Sequence, residues 1–219
     1  MSLYDLLQTE ATQVGAKMEG LFVGIVTNNK DPDGLGRVKI KFPTREGEGE
    51  SYWARIATLM AGKERGSFFL PEVNDEVLVA FEQNNINHPY VLGCLWNGKE
   101  KPPEKNEDGK NNIRMVQSRS GHKIVFNDDH ERKKEKLEIQ TKAGHRITLD
   151  DAAGAEKIEI KDKTGSNSIV IDSVKNSITI ECGMTLKIKA QAIEIEAGAT
   201  MKLKAGATLT IEGAMVMIN

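Results

Sequence analysis

ITIECGMTLKIKAQAIEIEAGATMKLKAGATLTIEGAMVMIN, residues 178–219, is the stretch that decides the fold. Triplets of the form apolar-x-apolar begin at Ile178, Leu186, Ile193, Met201, Leu209 and Val216, so the successive spacings are 8, 7, 8, 8 and 7. Gly183, Gly198, Gly206 and Gly213 each follow shortly after a triplet. In a strand, residues two apart point to the same face, so each unit offers two inward side chains and then a corner where glycine lets the chain bend. The expected needle core is Ile178 and Ile180, Leu186 and Ile188, Ile193 and Ile195, Met201 and Leu203, and Leu209 and Ile211. Two side chains per rung cannot enclose a core in one chain, whereas three chains wound about a common axis can. A regular short period is the signature of a solenoid, and the expected fold here is an intertwined triple-stranded β-helix.

The outward positions support that reading. Lys187 and Lys189 occupy one rung, Glu194 and Glu196 the next, and Lys202 and Lys204 the one after. Stacked strands lie about 4.8 Å apart, so opposite charges meet on adjacent rungs and a one-rung slip brings like charges together. A looser repeat comes first. Ser120-Gly-His-Lys-Ile-Val-Phe-Asn-Asp128 matches Ala143-Gly-His-Arg-Ile-Thr-Leu-Asp-Asp151, with a degenerate copy at Thr164–Asp172.

The chain changes character along its length. All eleven aromatics lie between Tyr4 and Phe126, and all six prolines between Pro32 and Pro103. Residues 20–96 read as a small closed β-barrel of five or six short strands. Candidates include Phe22–Val26, the alternating Val38–Phe42, Tyr52–Ala57, Ser67–Leu70, Glu76–Glu82 and Tyr90–Trp96. Leu3, Leu6 and Leu7 share one face of a short helix, too short to be stable alone, that would dock on a partner. The expected organisation is an N-terminal docking helix over 1–18, a β-barrel domain over 19–97, a linker over 98–116 and a β-helical domain over 117–219. The expected fold class is all-β.

Composition narrows function. A formal net charge of −2 argues against a nucleic-acid binder. Cys94 and Cys182 are far apart in sequence and fit a reducing compartment rather than a disulfide framework. No basic region followed by an apolar core opens the chain, so synthesis in the cytoplasm without a signal peptide is expected. Asp31-Pro-Asp33-Gly34 lacks the further oxygen ligands of a calcium loop and reads as a turn. His122 and His145 hold equivalent repeat positions, where a threefold axis would gather imidazoles; beside a turn glycine they read instead as hydrogen-bonded rim residues. Tyr52, Trp53, Phe68, Phe69 and Trp96 offer a stacking platform for a ligand, against the plainer reading that they pack the barrel and its contact with the needle. No nucleophile–base or paired-carboxylate arrangement stands out, so neither catalysis nor a cofactor is expected.

Several segments resemble a known family. Gly24-Ile-Val26, Asp31-Pro-Asp-Gly-Leu-Gly-Arg-Val-Lys-Ile-Lys-Phe-Pro43, Leu70–Glu82, His88-Pro-Tyr-Val-Leu-Gly93 and Leu95-Trp-Asn-Gly98 resemble the OB domain of the VgrG and phage baseplate assembly protein V spikes. The Ser-Gly-His-Lys-Ile segment and the short repeat resemble that family's β-helix. The resemblance implies a homotrimeric spike, assembled into the baseplate of a phage, phage tail-like particle or type VI-like apparatus, that meets the target membrane only mechanically. It implies baseplate hub proteins at the N-terminal end, through Leu3, Leu6 and Leu7. It also implies a PAAR-repeat tip protein on the last rung, made by Met215, Val216, Met217, Ile218 and Asn219. The large hub domain, a lysozyme domain and a terminal His-x-His are not visible in this sequence. A trimeric fibre or adhesin whose OB domain binds a carbohydrate or nucleic acid is the alternative; the repeat running to Asn219 with no receptor-binding head favours the spike.

Overall fold

A computed structural model describes residues 19–44 and 49–217. The expected helix with Leu3, Leu6 and Leu7 lies outside the described residues, as do Ile218 and Asn219. The chain divides into two compact units, one ending at Lys105 and the other beginning at Asn106.

The first unit is built on a five-stranded sheet of order β2-β1-β6-β7-β3. Its strands are β1 (Phe22–Asn28), β2 (Lys39–Lys41), β3 (Arg55–Ile56), β6 (Glu76–Phe81) and β7 (Pro89–Cys94). Val38 and Ala54 exchange backbone hydrogen bonds of 3.0 and 2.7 Å, which ties the β2 edge to the β3 edge and closes the sheet on itself. Alternation does the rest: in β6, Val77, Val79 and Phe81 are buried while their neighbours are not. Val26, Val38, Ile40, Phe42, Ala54 and Val91 complete the core, where Phe22, Phe42 and Phe81 pack edge-on or tilted at 5.5–6.2 Å. Gly24 is required by close approach: a Cβ there would fall 2.3 Å from Ile40 Cγ2.

The turn expected at Asp31–Gly36 is a clasp around one carboxylate. Asp31 accepts hydrogen bonds from the backbone N–H groups of Asp33, Leu35 and Arg37 and from the Arg37 guanidinium at 2.6 and 2.8 Å. Arg37 also reaches Asp33 at 2.5 Å. These bonds, Arg37 foremost, hold the Asp31 carboxyl far below the usual carboxylate range. Gly34 and Gly36, both at positive φ, allow the loop to curl tightly enough for this.

Two expectations need correcting. Tyr52–Ala57 yields only the two-residue β3, and Ser67–Leu70 forms no strand. Between them lies a small hairpin, β4 (Ala61–Gly62) with β5 (Arg65–Gly66).

The second unit is a seven-stranded antiparallel meander in which every strand pairs with its sequence neighbour. Its strands are β8 (Ile113–Gln117), β9 (Lys123–Asn127), β10 (Lys136–Gln140), β11 (Arg146–Asp150), β12 (Lys157–Lys161), β13 (Ser168–Asp172) and β14 (Ser177–Glu181). β8 thus begins inside the stretch read as linker. Gly121, Gly144 and Gly165 adopt positive φ in the hairpin loops, where the chain must reverse. After Glu181 no strand is assigned through Met217.

Candidate functional site

The meander has two unlike faces, and its register shows how they arise. Ile124 stands opposite Ile139, Ile139 opposite Ile147, Ile147 opposite Ile160, Ile160 opposite Ile169, and Ile169 opposite Ile180. Beside this column runs a second: Phe126, Leu137, Leu149, Ile158, Ile171 and Ile178. One face is therefore an unbroken apolar stripe two side chains wide. In the single chain it is open to solvent, and Ile178 at its end is 71% exposed. A patch of this kind on a soluble chain marks an interaction surface.

The other face is polar and better covered. Glu138, Thr148 and Glu159 are in register along its middle. Glu138 and Glu159 side chains are only 12% and 14% exposed, because long basic side chains lie over them. Lys136 and Arg146 each approach Glu138 to 3.7 Å, and Lys161 meets Glu159 at 2.9 Å. The Lys161 hydrogen bond, with added charge from Lys157 and Arg146, lowers the Glu159 carboxyl below its ordinary range. Along one margin Lys136, Asp150, Lys157 and Asp172 are cross-strand neighbours of alternating sign. Such pairs fix register as much as they stabilise.

His122 and His145 sit at the loop edge of this sheet. His122 Nδ1 accepts the backbone N–H of Lys142 and His145 Nδ1 that of Lys163, both at 3.3 Å. Asn167 Oδ1 takes the same part toward Gly183 at 3.2 Å. Three loops along this margin are thus each stitched to the backbone of the next segment by a side chain shortly after a turn glycine. Among the described residues no group of three His, Cys, Asp or Glu side chains is placed to hold a metal ion.

Of the expected needle core, Ile178 and Ile180 lie in β14 on the apolar face. Leu186, Ile188, Ile193, Ile195, Met201, Leu203, Leu209 and Ile211 lie in the segment beyond it, exposed in the single chain. Met215, Val216 and Met217 are exposed as well. The four glycines expected at the corners, Gly183, Gly198, Gly206 and Gly213, are not at positive φ. Left-handed backbone belongs to the hairpin loops, where the chain reverses, and the later corners bend without reversing. A Cβ at Gly198 or Gly206 meets nothing within 4 Å. Any steric need for Gly198 and Gly206 must come from outside the described residues.

The rung spacing changes where the meander stops. Apolar triplets at Ile124, Leu137, Ile147, Ile158, Ile169 and Ile178 start 13, 10, 11, 11 and 9 residues apart. Each interval holds a five-residue strand and a loop long enough to return the chain antiparallel. Beyond Ile178 the spacing falls to 8 or 7, and no strand follows β14 among the described residues. The edge of β14 and the backbone beyond it are left without ladder partners among the described residues, and such groups seek one. The sequence reading treats residues 117–177 as a looser repeat; the apolar triplets, followed through that region, carry the continuous signal.

In the barrel, the aromatics of the possible stacking platform fall outside the core. Tyr52, Phe68, Phe69 and Trp96 are exposed, which corrects the expectation that they pack the barrel. Trp53 lies under two cations, with Arg37 at 5.9 Å and Lys39 at 5.5 Å from its ring centre.

A closed barrel followed by a sheet whose apolar face and edge await other chains defines a self-associating, all-β assembly protein. Residues 22–96 match the type VI secretion system/phage-baseplate injector OB domain, and residues 136–219 match the phage baseplate V C-terminal trimerisation domain. The chain belongs to this baseplate V spike family. Similar proteins include the type VI secretion system spike protein VgrG1a of Pseudomonas aeruginosa, 24% identical over 79% of this chain and 25% of the relative. VgrG4b of the same organism is 31% identical over 43% of this chain and 14% of the relative. VgrG3 of Vibrio cholerae is 31% identical over 46% of this chain and 9% of the relative. The chain thus spans a quarter or less of the length of these relatives.

Proposed function

We propose that the chain is the central spike of a contractile injection apparatus, acting as a homotrimer and mechanically rather than as an enzyme. The observation that carries this reading is the two-residue apolar stripe that runs from β9 to β14 and continues, rung by rung, into a segment with no ladder partner among the described residues. Three stripes turned toward a common axis give each other the core that one chain lacks. The match to a trimerisation domain supports three copies, and the relatives named as spike proteins support the role.

In this reading the trimer assembles into a baseplate. Its N-terminal segment with Leu3, Leu6 and Leu7 engages hub proteins, and the last rung, Met215–Asn219, seats a PAAR-repeat tip protein. Met217 supports the second assignment: where earlier rungs carry lysine, glutamate or threonine between the apolar pair, this one carries a flexible apolar residue. Sedimentation equilibrium is expected to give three times the 24.1 kDa chain mass. A well-folded monomer at micromolar concentration refutes the reading. Deleting residues 215–219 is expected to leave the trimer intact and abolish capture of a co-expressed PAAR protein; undiminished capture places the tip elsewhere.

A further inference from the structure

The two margins of the meander are unlike, and the register says which of them meet when three copies share an axis. The turns 118–122, 141–145 and 162–167 lie along one margin, and the loops 128–135, 151–156 and 173–176 along the other. Strands β9 to β14 pair residue for residue without stagger, so the apolar stripe runs perpendicular to them. A five-residue strand spans about 17 Å; three such strands closed as a triangle stand about 5 Å from the axis, half the spacing of about 10 Å between packed sheets. Stripes that meet at the axis therefore bring strand ends together at the corners. Contacts in a closed threefold ring are head to tail, so each corner joins the first margin of one copy to the second margin of the next.

With its strand ends, the first margin carries six basic residues and two acidic ones, Asp162 and Glu181. Arg146 and Lys161 turn over the polar face toward Glu138 and Glu159, whereas Lys142 and Lys163 make no ion pair among the described residues. These two lysines hold the same place, two residues before a turn glycine. A histidine of the preceding turn accepts the backbone N–H of each, and each packs 3.8 or 3.7 Å from where a Cβ on Gly121 or Gly144 would stand. Asp162 accepts from the Thr164 hydroxyl at 2.8 and 2.9 Å and from the Asn167 side-chain amide at 3.1 Å. Those donors are neutral, so Asp162 keeps its charge; the turn 162–167 is neutral as a whole and 141–145 is net positive.

On the second margin most carboxylates have cations of their own: Arg114 for Asp128, Arg132 for Asp129, Lys110 for Glu131 and Lys175 for Asp172. The loop Asp151-Ala-Ala-Gly-Ala-Glu156 contains none. Lys157, next to it, points back to Glu159 at 3.9 Å. Glu156 accepts the Gly154 backbone N–H at 3.0 Å, and neither Asp151 nor Glu156 has a basic partner among the described residues.

We propose that Asp151 and Glu156 of one copy dock on Lys142 and Lys163 of the next, an inter-chain lock at each corner. This inference rests on the homotrimer proposed above. The loop 151–156 joins β11 to β12, so along the stripe it stands between the turns 141–145 and 162–167. Copies related by a closed threefold axis share one height, so the loop enters the gap between those two turns of its neighbour. Asp151, at the end of β11, faces Lys142, and Glu156, at the start of β12, faces Lys163. An arrangement that brought like margins together would set lysine against lysine, so the lock also holds the three chains parallel.

The test uses the full-length chain in a C94S/C182S background. E156C/K163C is treated with a short bismaleimide and run on a denaturing gel, and its sedimentation mass is measured in parallel. A covalent trimer of three times 24.1 kDa is expected. Positions 156 and 163 flank β12, at least about 17 Å apart, out of the reagent's reach within one chain, and K163C alone is expected to stay single on the gel. A sedimenting trimer that yields no covalent species from E156C/K163C, or K163C chains that link to each other, overturns the corner and leaves the trimer standing. A monomer refutes the homotrimer and the corner with it. Dilution in urea at low salt gives the second readout. K142E/K163E and D151K/E156K are each expected to raise the concentration at which the trimer dissociates more than tenfold, and the fourfold variant to restore it. No loss in either pair variant, or no recovery in the fourfold one, overturns the pairing.

Discussion

Replacing Ile160 with alanine separates a face that is bare from one that three copies bury. Ile160 stands between Ile147 and Ile169 on the apolar stripe and is 46% exposed in the single chain. If that exposure persisted in the working protein, trimming the side chain would cost well under about 1 kcal/mol, as at most surface positions. If the stripe faces an axis, the same change opens a cavity in a close-packed core and costs about 2–4 kcal/mol per chain. Symmetry repeats the change three times, so the trimer loses roughly 6 kcal/mol or more, which raises its dissociation constant by about four orders of magnitude. Thr179→Ala, on the opposite face of β14, is the control. Sedimentation equilibrium across a dilution series in mild guanidinium would measure both. Dissociation of I160A at concentrations where the parent and T179A remain trimeric is expected. Indistinguishable behaviour of I160A and T179A refutes burial of the stripe.

Converting Glu194 and Glu196 together to lysine puts three lysine rungs in succession; the melting temperature is expected to fall at low salt and recover as salt screens the repulsion. Gly24→Ala forces a methyl group against Ile40, an overpacking expected to cost about 1–3 kcal/mol in urea unfolding and to be partly relieved by I40A. The carboxyls of Glu159, Asp162 and Asp172 are lowered in the fold, first by Lys161, the Thr164 hydroxyl and the Lys175 backbone N–H respectively. Since the folded values lie below the unfolded ones, their contribution is complete above the ordinary glutamate value of 4.5. It is lost as pH falls through the lowered folded values. Thermal melts should therefore fall steeply only below that point, and less steeply for E159Q.

Much of this architecture was legible before any coordinates. Period-2 alternation in Val38–Phe42 and Glu76–Phe81 reports strands with one buried face, because side-chain direction in a strand depends only on parity. The apolar triplets from Ile178 to Val216 report a repeating rung for the same reason, and two side chains per rung already require other chains to complete a core. What sequence did not determine is the register in which the strands of the second unit pair: β8 through β14 set their apolar residues in two columns only once each hairpin has closed on its neighbour. Nor could composition tell which aromatics fill the barrel: Phe22, Phe42 and Phe81 do, while Phe68 and Phe69 stand outside it. Ser67–Leu70 has strand propensity equal to that of its neighbours, but a strand exists only where another backbone lies alongside, and that is a property of tertiary structure. That His122 and His145 are hydrogen-bonded rim residues was legible from the turn glycine beside each, but their partners were not, since the hydrogen bond each accepts comes from the next hairpin, some twenty residues away. Local alternation and spacing follow from bond geometry and are written in the chain; the partner of each strand edge and apolar face follows from which distant atoms the fold brings alongside.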